Sequence, residues 1–226
     1  LRDPLLTTHG KEQCHALREA LPFHASVSLI MASPLKRAIQ TAATVFAPTL
    51  ASRQLPFMLI PLAQEVSQLQ CYLGDDVATT KAGAPDLITD AAEGYDPVNL
   101  DVSLVQEDWN SKQGIYAATL PAVRRRAAAL RNWLWKRPEE HIAVVSHGGF
   151  LHYLTEDWTG YDKARGELQN TGYQNCEYRR FQFSEDSTAE SAHLVEIGNA
   201  REKQARPVGL DAHVVREIEE VEGKLE

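Results

Sequence analysis

Of the 226 residues only three are cysteine and two are methionine. Cys14, Cys71 and Cys176 are odd in number and widely spaced. That pattern excludes a disulfide framework and any metal-type pairing, so we read three free thiols in a reducing compartment and expect a cytoplasmic protein. No apolar run is long enough to cross a bilayer, and no signal-peptide pattern opens the chain, so we expect no membrane partner. Basic residues are the minority, 23 against 31 acidic, giving a formal charge of -8. This argues against a general nucleic-acid surface while leaving room for a local basic pocket around a small anion. Internal repeats and a second domain boundary are also missing. The chain opens at Leu1 rather than methionine, and we expect further residues to precede it in the translated protein.

What is present is an ordinary globular composition, long enough for one domain with a real core. The most informative stretch is Ile142-Ala143-Val144-Val145-Ser146-His147-Gly148-Gly149-Phe150. An apolar, β-branched run reads as a strand buried on both faces of a parallel sheet. The two glycines then let the backbone turn and approach a ligand closely, and a helical pattern begins at Phe150. His147 therefore falls at the carboxyl end of a strand, the edge where open α/β sheets bind ligands. Val27–Ala32 is a second strand. Ser33-Pro34 after it pairs an N-cap residue with proline at the first helical position. Strand, turn and helix N-terminus form an anion site, and Arg37 in or just after the first turn can add a bidentate contact to phosphate. Phe57–Leu62 is a third apolar run, read as a strand that ends at Pro61. Glu65 follows it, placed to act as a general acid if burial or nearby anions raise its pKa, although spacing alone makes it a loop glutamate.

Elsewhere the reading is plainer. Thr7 or Thr8 caps a helix after Pro4, and His9 at its entrance is a surface residue. Residues 63–120 read as a loop-rich insertion in which Gly74, Gly83, Pro85, Gly94 and Pro97 break up short helical patterns. A helix runs from Pro121 to Trp135. Its Arg124-Arg125-Arg126 points three ways and reads as a solvated face, and Trp133 and Trp135 as core and rim packing. Glu177–Phe183 and Ala192–Ile197 alternate as an antiparallel edge hairpin. Residues 199–226 form a charged tail, weakly packed, with a thin stripe of Val214, Ile218 and Val221.

Three segments in order resemble the histidine phosphatase superfamily, the phosphoglycerate-mutase-like proteins, and especially their fungal-type branch. These are Asp3-Pro4-Leu5-Leu6-Thr7-Thr8-His9-Gly10, then Ser33-Pro34-Leu35-Lys36-Arg37-Ala38-Ile39-Gln40-Thr41, and Val144-Val145-Ser146-His147-Gly148-Gly149. Gln64-Glu65-Val66 matches the acidic proton-donor segment more loosely. The resemblance implies a phosphoglycerate-mutase-like domain over residues 1–198, an α/β three-layer sandwich with a mostly parallel central sheet flanked by helices. It further implies a phosphomonoester hydrolase working through a phosphohistidine on a small phosphorylated metabolite. In that chemistry Arg37, His147 and Gly148 bind phosphate, His147 donates from a protonated ring, and Glu65 protonates the leaving oxygen. No metal or organic cofactor is implied. The attacking histidine of the family belongs to an Arg-His-Gly/Ala segment at the end of a first strand. Neither that strand nor any Arg-His pair occurs in this chain. The expectation is therefore a truncated, inactive chain whose nucleophile lies upstream; the alternative is a pseudophosphatase that binds phosphorylated ligands without catalysis. His147-Gly148-Gly149 also resembles an esterase oxyanion segment, but that reading needs a G-x-S-x-G elbow the sequence lacks. Mutase activity is expected less than hydrolysis.

Overall fold

A computed structural model describes residues 1–158, 161–162, 167–168, 173–198 and 212–224. The alternation of side chains along a strand divides the core in two. In β1 (Leu29–Ala32) and β2 (Phe57–Leu59), Ile30, Ala32, Phe57 and Leu59 enter one buried cluster; Leu29, Met31 and Met58 enter the other. With β3 (Leu100–Asp101) and β4 (Ile142–Val145) they form a parallel sheet in the order β3-β2-β1-β4.

Parallel neighbours need crossovers, and helices supply them on both faces. α1 (Thr8–Ala20), α2 (Lys36–Val45), α3 (Ala47–Arg53) and α4 (Val77–Thr89) give Cys14, Ile39, Leu50 and Ile88 to the first cluster. α5 (Leu120–Trp135), α6 (Gly148–Thr155) and α7 (Ala212–Glu222) give Leu130, Phe150 and Val221 to the second. Each such fully buried side chain is worth about 1.5–3 kcal/mol of hydrophobic stabilisation. The result is the expected α/β three-layer sandwich. Among the described residues, no helix is long and apolar enough to cross a membrane.

Local chemistry explains where the elements start. Thr7 caps α1, its hydroxyl accepting the Gly10 N–H at 3.1 Å. α2 departs from the expected Ser33-Pro34 entrance and begins at Lys36. Its cap comes from a distance: Asp3, buried and at φ +39°, accepts the Lys36 N–H at 2.9 Å. The Ser33 hydroxyl instead receives the Leu35 N–H at 3.4 Å. α6 starts at Gly148, before its apolar pattern does.

The insertion is less loop-like than its glycines and prolines imply. α4 runs unbroken through Gly83 and Pro85, because Thr80, Ala84 and Ile88 are buried and the helix packs on α2. Packing overrides propensity here. The tail reading also needs correction. α7 rests on α6 and α5, Ile218 and Val221 are fully buried, and the Leu120 N–H donates to the Lys224 carbonyl at 3.1 Å. Residues 199–211 lie outside those described.

β7 (Phe181–Phe183) and β8 (Leu194–Glu196) form the expected antiparallel hairpin, and β5 (Tyr161–Asp162) pairs with β6 (Glu167–Leu168). Trp135 sits at the rim, edge-on to Phe183. β4 is the main surprise. Where the sequence reads as buried on both faces, all four of its residues are only half-buried. It pairs with β1 alone among the described residues. Its residues line a cavity of about 1230 Å³ together with Phe181, Gln182 and Phe183 of β7.

Candidate active site

β1 and β4 run parallel with Ala32 opposite Val145, so the residues that leave their carboxyl ends come out side by side. Ser33 and α2 leave β1; Ser146 and His147 leave β4. The two sequence-predicted anchors meet there. One Arg37 terminal guanidinium nitrogen (Nη2) lies 3.1 Å from His147 Nδ1, and His147 Nε2 lies 2.9 Å from Ser33 Oγ. Guanidinium has no lone pair to offer, so Nδ1 accepts from Arg37 and Nε2–H donates to Ser33. His147 is thus a neutral imidazole in this arrangement, not the protonated donor implied by the resemblance. Burial depresses its pKa well below the usual histidine range, and the positive charges of Arg37, Lys112 and Arg126 push the same way.

Arg37 is fixed from two further directions. Its other terminal nitrogen (Nη1) donates to the Cys71 carbonyl at 3.0 Å, and the guanidinium lies 4.9 Å from the centre of the Tyr72 ring. Fixing one orientation leaves little rotamer entropy to lose when an anion binds.

Glu65, brought in after β2, is buried against the start of α6. One carboxylate oxygen, Oε1, accepts the Val66 N–H at 2.9 Å and the Phe150 N–H at 3.0 Å. The amides and the dipole of a helix N-terminus favour negative charge on that oxygen. Below it, Lys112 donates to the Glu65 carbonyl at 2.7 Å, while Arg126 donates to the Gln64 carbonyl at 2.7 Å and stacks on Phe150 at 4.4 Å. Arg126 corrects the solvated-face reading: Arg124 and Arg125 are exposed, and Arg126 is fully buried. Burial lowers Arg126 to about 10 and Lys112 to about 7, with Arg126 adding to the shift of Lys112.

Both helix N-termini at this edge are therefore occupied by carboxylates of the chain itself, α2 by Asp3 and α6 by Glu65. An anion at this edge would meet the side chains of Arg37 and His147 rather than the amides of α2. Gly148 opens α6 half-buried and lines the same cavity as Arg37, Glu65 and His147. His9 is exposed in the first turn of α1.

One wall residue was not anticipated. Glu217 of α7 is 2% exposed and lies beside the Glu65 carboxyl and the Tyr72 hydroxyl. A β-carbon on Gly149 would lie 2.8 Å from Glu65 Oε1 and 2.9 Å from Glu217 Oε2, so this glycine makes room for both acids. Burial first, then the Glu65 charge, pushes the Glu217 carboxyl up to about 8. The sequence signal for it was slight: Ile218 and Val221 mark a buried stripe, but any of several glutamates beside it reads equally as solvated. No group of three or more possible metal ligands occurs among the described residues.

Known proteins resemble the chain over both of these strand ends. The histidine phosphatase superfamily (branch 1) matches residues 1–57 and 90–194, which include Arg37 and His147 and leave out Glu65. The chain is 26% identical over 188 residues to a probable phosphatase of Schizosaccharomyces pombe, covering 80% of this chain and 79% of that one. Phosphoglycerate mutase-like protein 1 of Arabidopsis thaliana is 29% identical over 168 residues, 67% of this chain and 59% of its own length. A phosphoglycerate mutase-like protein of the same plant is 27% identical over 211 residues, covering 78% and 72%. With the family match spanning both strand ends that carry Arg37 and His147, the chain belongs to the histidine phosphatase superfamily.

Proposed function

We propose that the protein is a phosphomonoester hydrolase acting through a phosphohistidine on a small phosphorylated metabolite. The contact between Arg37 and His147 beside Glu65 carries this reading, because it gathers an oxyanion clamp and a proton donor at one cavity end. In the first half-reaction a histidine nitrogen attacks phosphorus and the P–O ester bond breaks. Arg37, His147 and the backbone at Gly148 hold the phosphoryl oxygens, and Glu65 passes a proton to the leaving oxygen. A dianion between Arg37 and His147 offsets the guanidinium charge that disfavours imidazolium, so His147 takes up a proton as substrate binds. In the second half-reaction water attacks phosphorus, Glu65 accepts its proton, and phosphate leaves the histidine.

In this reading the nucleophilic histidine reaches phosphorus in the cavity that Arg37, Glu65 and His147 line. The buried site favours a small ester over a folded protein substrate. Glu65 and Glu217 in its wall disfavour retention of a bisphosphorylated intermediate, hence hydrolysis over mutase chemistry. The similarity to the fission-yeast protein favours the fungal-type branch, and the free thiols favour a cytoplasmic setting.

The test is phosphate release from a panel of alkyl and aryl phosphates by an N-terminally extended protein, with Arg37→Ala and His147→Ala beside it. Hydrolysis lost in both variants is the expected result. Hydrolysis intact in both sinks the site assignment. The second reading, a phosphoester-binding protein without turnover, draws on the described residues offering no histidine beside the Arg37–His147 pair. Under it, vanadate binds in an Arg37-dependent manner while the extended protein releases no phosphate.

A further inference from the structure

We infer that Glu217, delivered by the C-terminal helix, shares a single proton with Glu65 and thereby sets both the acid and the base strength of Glu65. This rests on Glu65 being the proton donor proposed above. Glu217 acts through Glu65 and is a positioning residue in that sense.

The argument starts from geometry. The two carboxyl groups lie side by side in the cavity wall, 4% and 2% exposed, and a β-carbon on Gly149 would come within 2.9 Å of an oxygen of each. Two like charges at this range in a desolvated pocket do not both persist, so the pair keeps one proton at neutral pH. Its resting place follows from the partners. Glu65 Oε1 receives two N–H donors at the start of α6, which favour charge there. Glu217 faces Glu65, the Tyr72 hydroxyl and, farther off, Arg37 and Lys112; Arg126 of α5 lies beneath Glu65, and His147 lies beyond Arg37. The proton therefore rests on Glu217.

The two halves of the reaction then balance. As the ester bond breaks, the single proton passes from Glu217 to Glu65 and from Glu65 to the leaving oxygen. The pair is left doubly ionised. Mutual repulsion makes that state a strong base, so Glu65 draws a proton from the attacking water and the pair returns to one proton. Without Glu217, Glu65 has no neighbouring proton to pass on in the first half and no second carboxylate to drive its reprotonation in the second.

The direct test is a pH titration of the carboxyl carbons of the protein labelled at glutamate Cδ, in wild type, Glu217→Gln and Glu65→Gln. In wild type a glutamate carboxyl titrates near the pH of about 8 expected for Glu217. Glu217→Gln abolishes that high titration, and Glu65→Gln lowers it while the burial of Glu217 remains. Wild type with no glutamate titrating above pH 6, or a folded Glu217→Gln that keeps the high titration, overturns the proposal. The kinetic test uses the extended protein. Glu217→Gln lowers the ratio of alkyl phosphate to p-nitrophenyl phosphate hydrolysis about tenfold at pH 7 and moves the basic limb of the alkyl profile down by about one unit. An equal fall on both substrates with an unmoved limb counts against it, since p-nitrophenolate leaves without a proton. Should no protein hydrolyse either ester, the phosphatase reading fails by itself, and the carboxyl titration still decides the proton sharing.

Discussion

β1 and β4 are neighbours of equal length in one sheet, and both read in sequence as apolar runs buried on two faces. Only β1 is: Leu29 to Ala32 have no measurable exposure, while Ile142 to Val145 are half-buried throughout. β1 is paired on both edges, with β2 and β4; β4 pairs with β1 alone among the described residues and lines the cavity. Burial of a strand thus depends on what covers its edges as well as its faces. The site inherits the contrast. The β1 side supplies a rigid clamp, Ser33 and Arg37 on a capped helix. The β4 side supplies His147 and the glycines that let two acids approach, at the wall of the cavity.

The largest effect should come from cutting both strand tips. Arg37→Ala and His147→Ala each lower phosphate release by the extended protein about 10²–10³-fold, as losing one oxyanion donor does. A much smaller loss from His147 would mean that only the covered strand's tip matters. Stability separates the strands next. Met31 and Val144 lie opposite each other in register and serve the same cluster. Met31→Ala is expected to cost about 2–5 kcal/mol by urea unfolding and Val144→Ala about 1 kcal/mol. Equal costs would erase the distinction between covered and open strands.

Gly149→Ala sharpens the comparison on the β4 side. The new methyl displaces the ends of the Glu65 and Glu217 side chains, while alanine's helix propensity recovers about 1 kcal/mol. Thermal unfolding should therefore change little and alkyl phosphate hydrolysis fall about tenfold. The smallest effect concerns Asp3, the β1-side cap. Burial raises its carboxyl from 3.8 to about 6, against the opposing Lys36 N–H and the charges of Lys36 and Arg37. Between those values the folded protein binds more protons than the unfolded chain. This group's contribution to stability is thus full below pH 3.8 and is lost as pH rises to 6. Asp3→Asn keeps the acceptor for Lys36 and removes that slope. It should be more stable than wild type by about 1 kcal/mol at pH 7, read from urea midpoints across pH.

Much of the site was legible. Arg37 and His147 each follow an apolar run at a turn, and parallel pairing carries such positions to one edge. The misreadings have local causes. Ser33-Pro34 looked like a cap because the true cap, Asp3, lies 33 residues away from Lys36. Three consecutive arginines looked solvated because sequence does not say which one faces Phe150 and the Gln64 carbonyl. Glu217 was lost among the glutamates of a charged helix.

The apolar runs, the glycines after β4 and the order of the segments determined the layers of this protein and the strand ends from which its chemistry comes, since period and turn residues are local properties. Which face of α5 and α7 turned inward, which carboxylate met which, and how far β4 was covered were decided by tertiary packing alone. Those outcomes depend on contacts between residues far apart in the chain, Glu65 with Glu217 above all, and the free energy of burying a charge exists only once its surroundings are assembled.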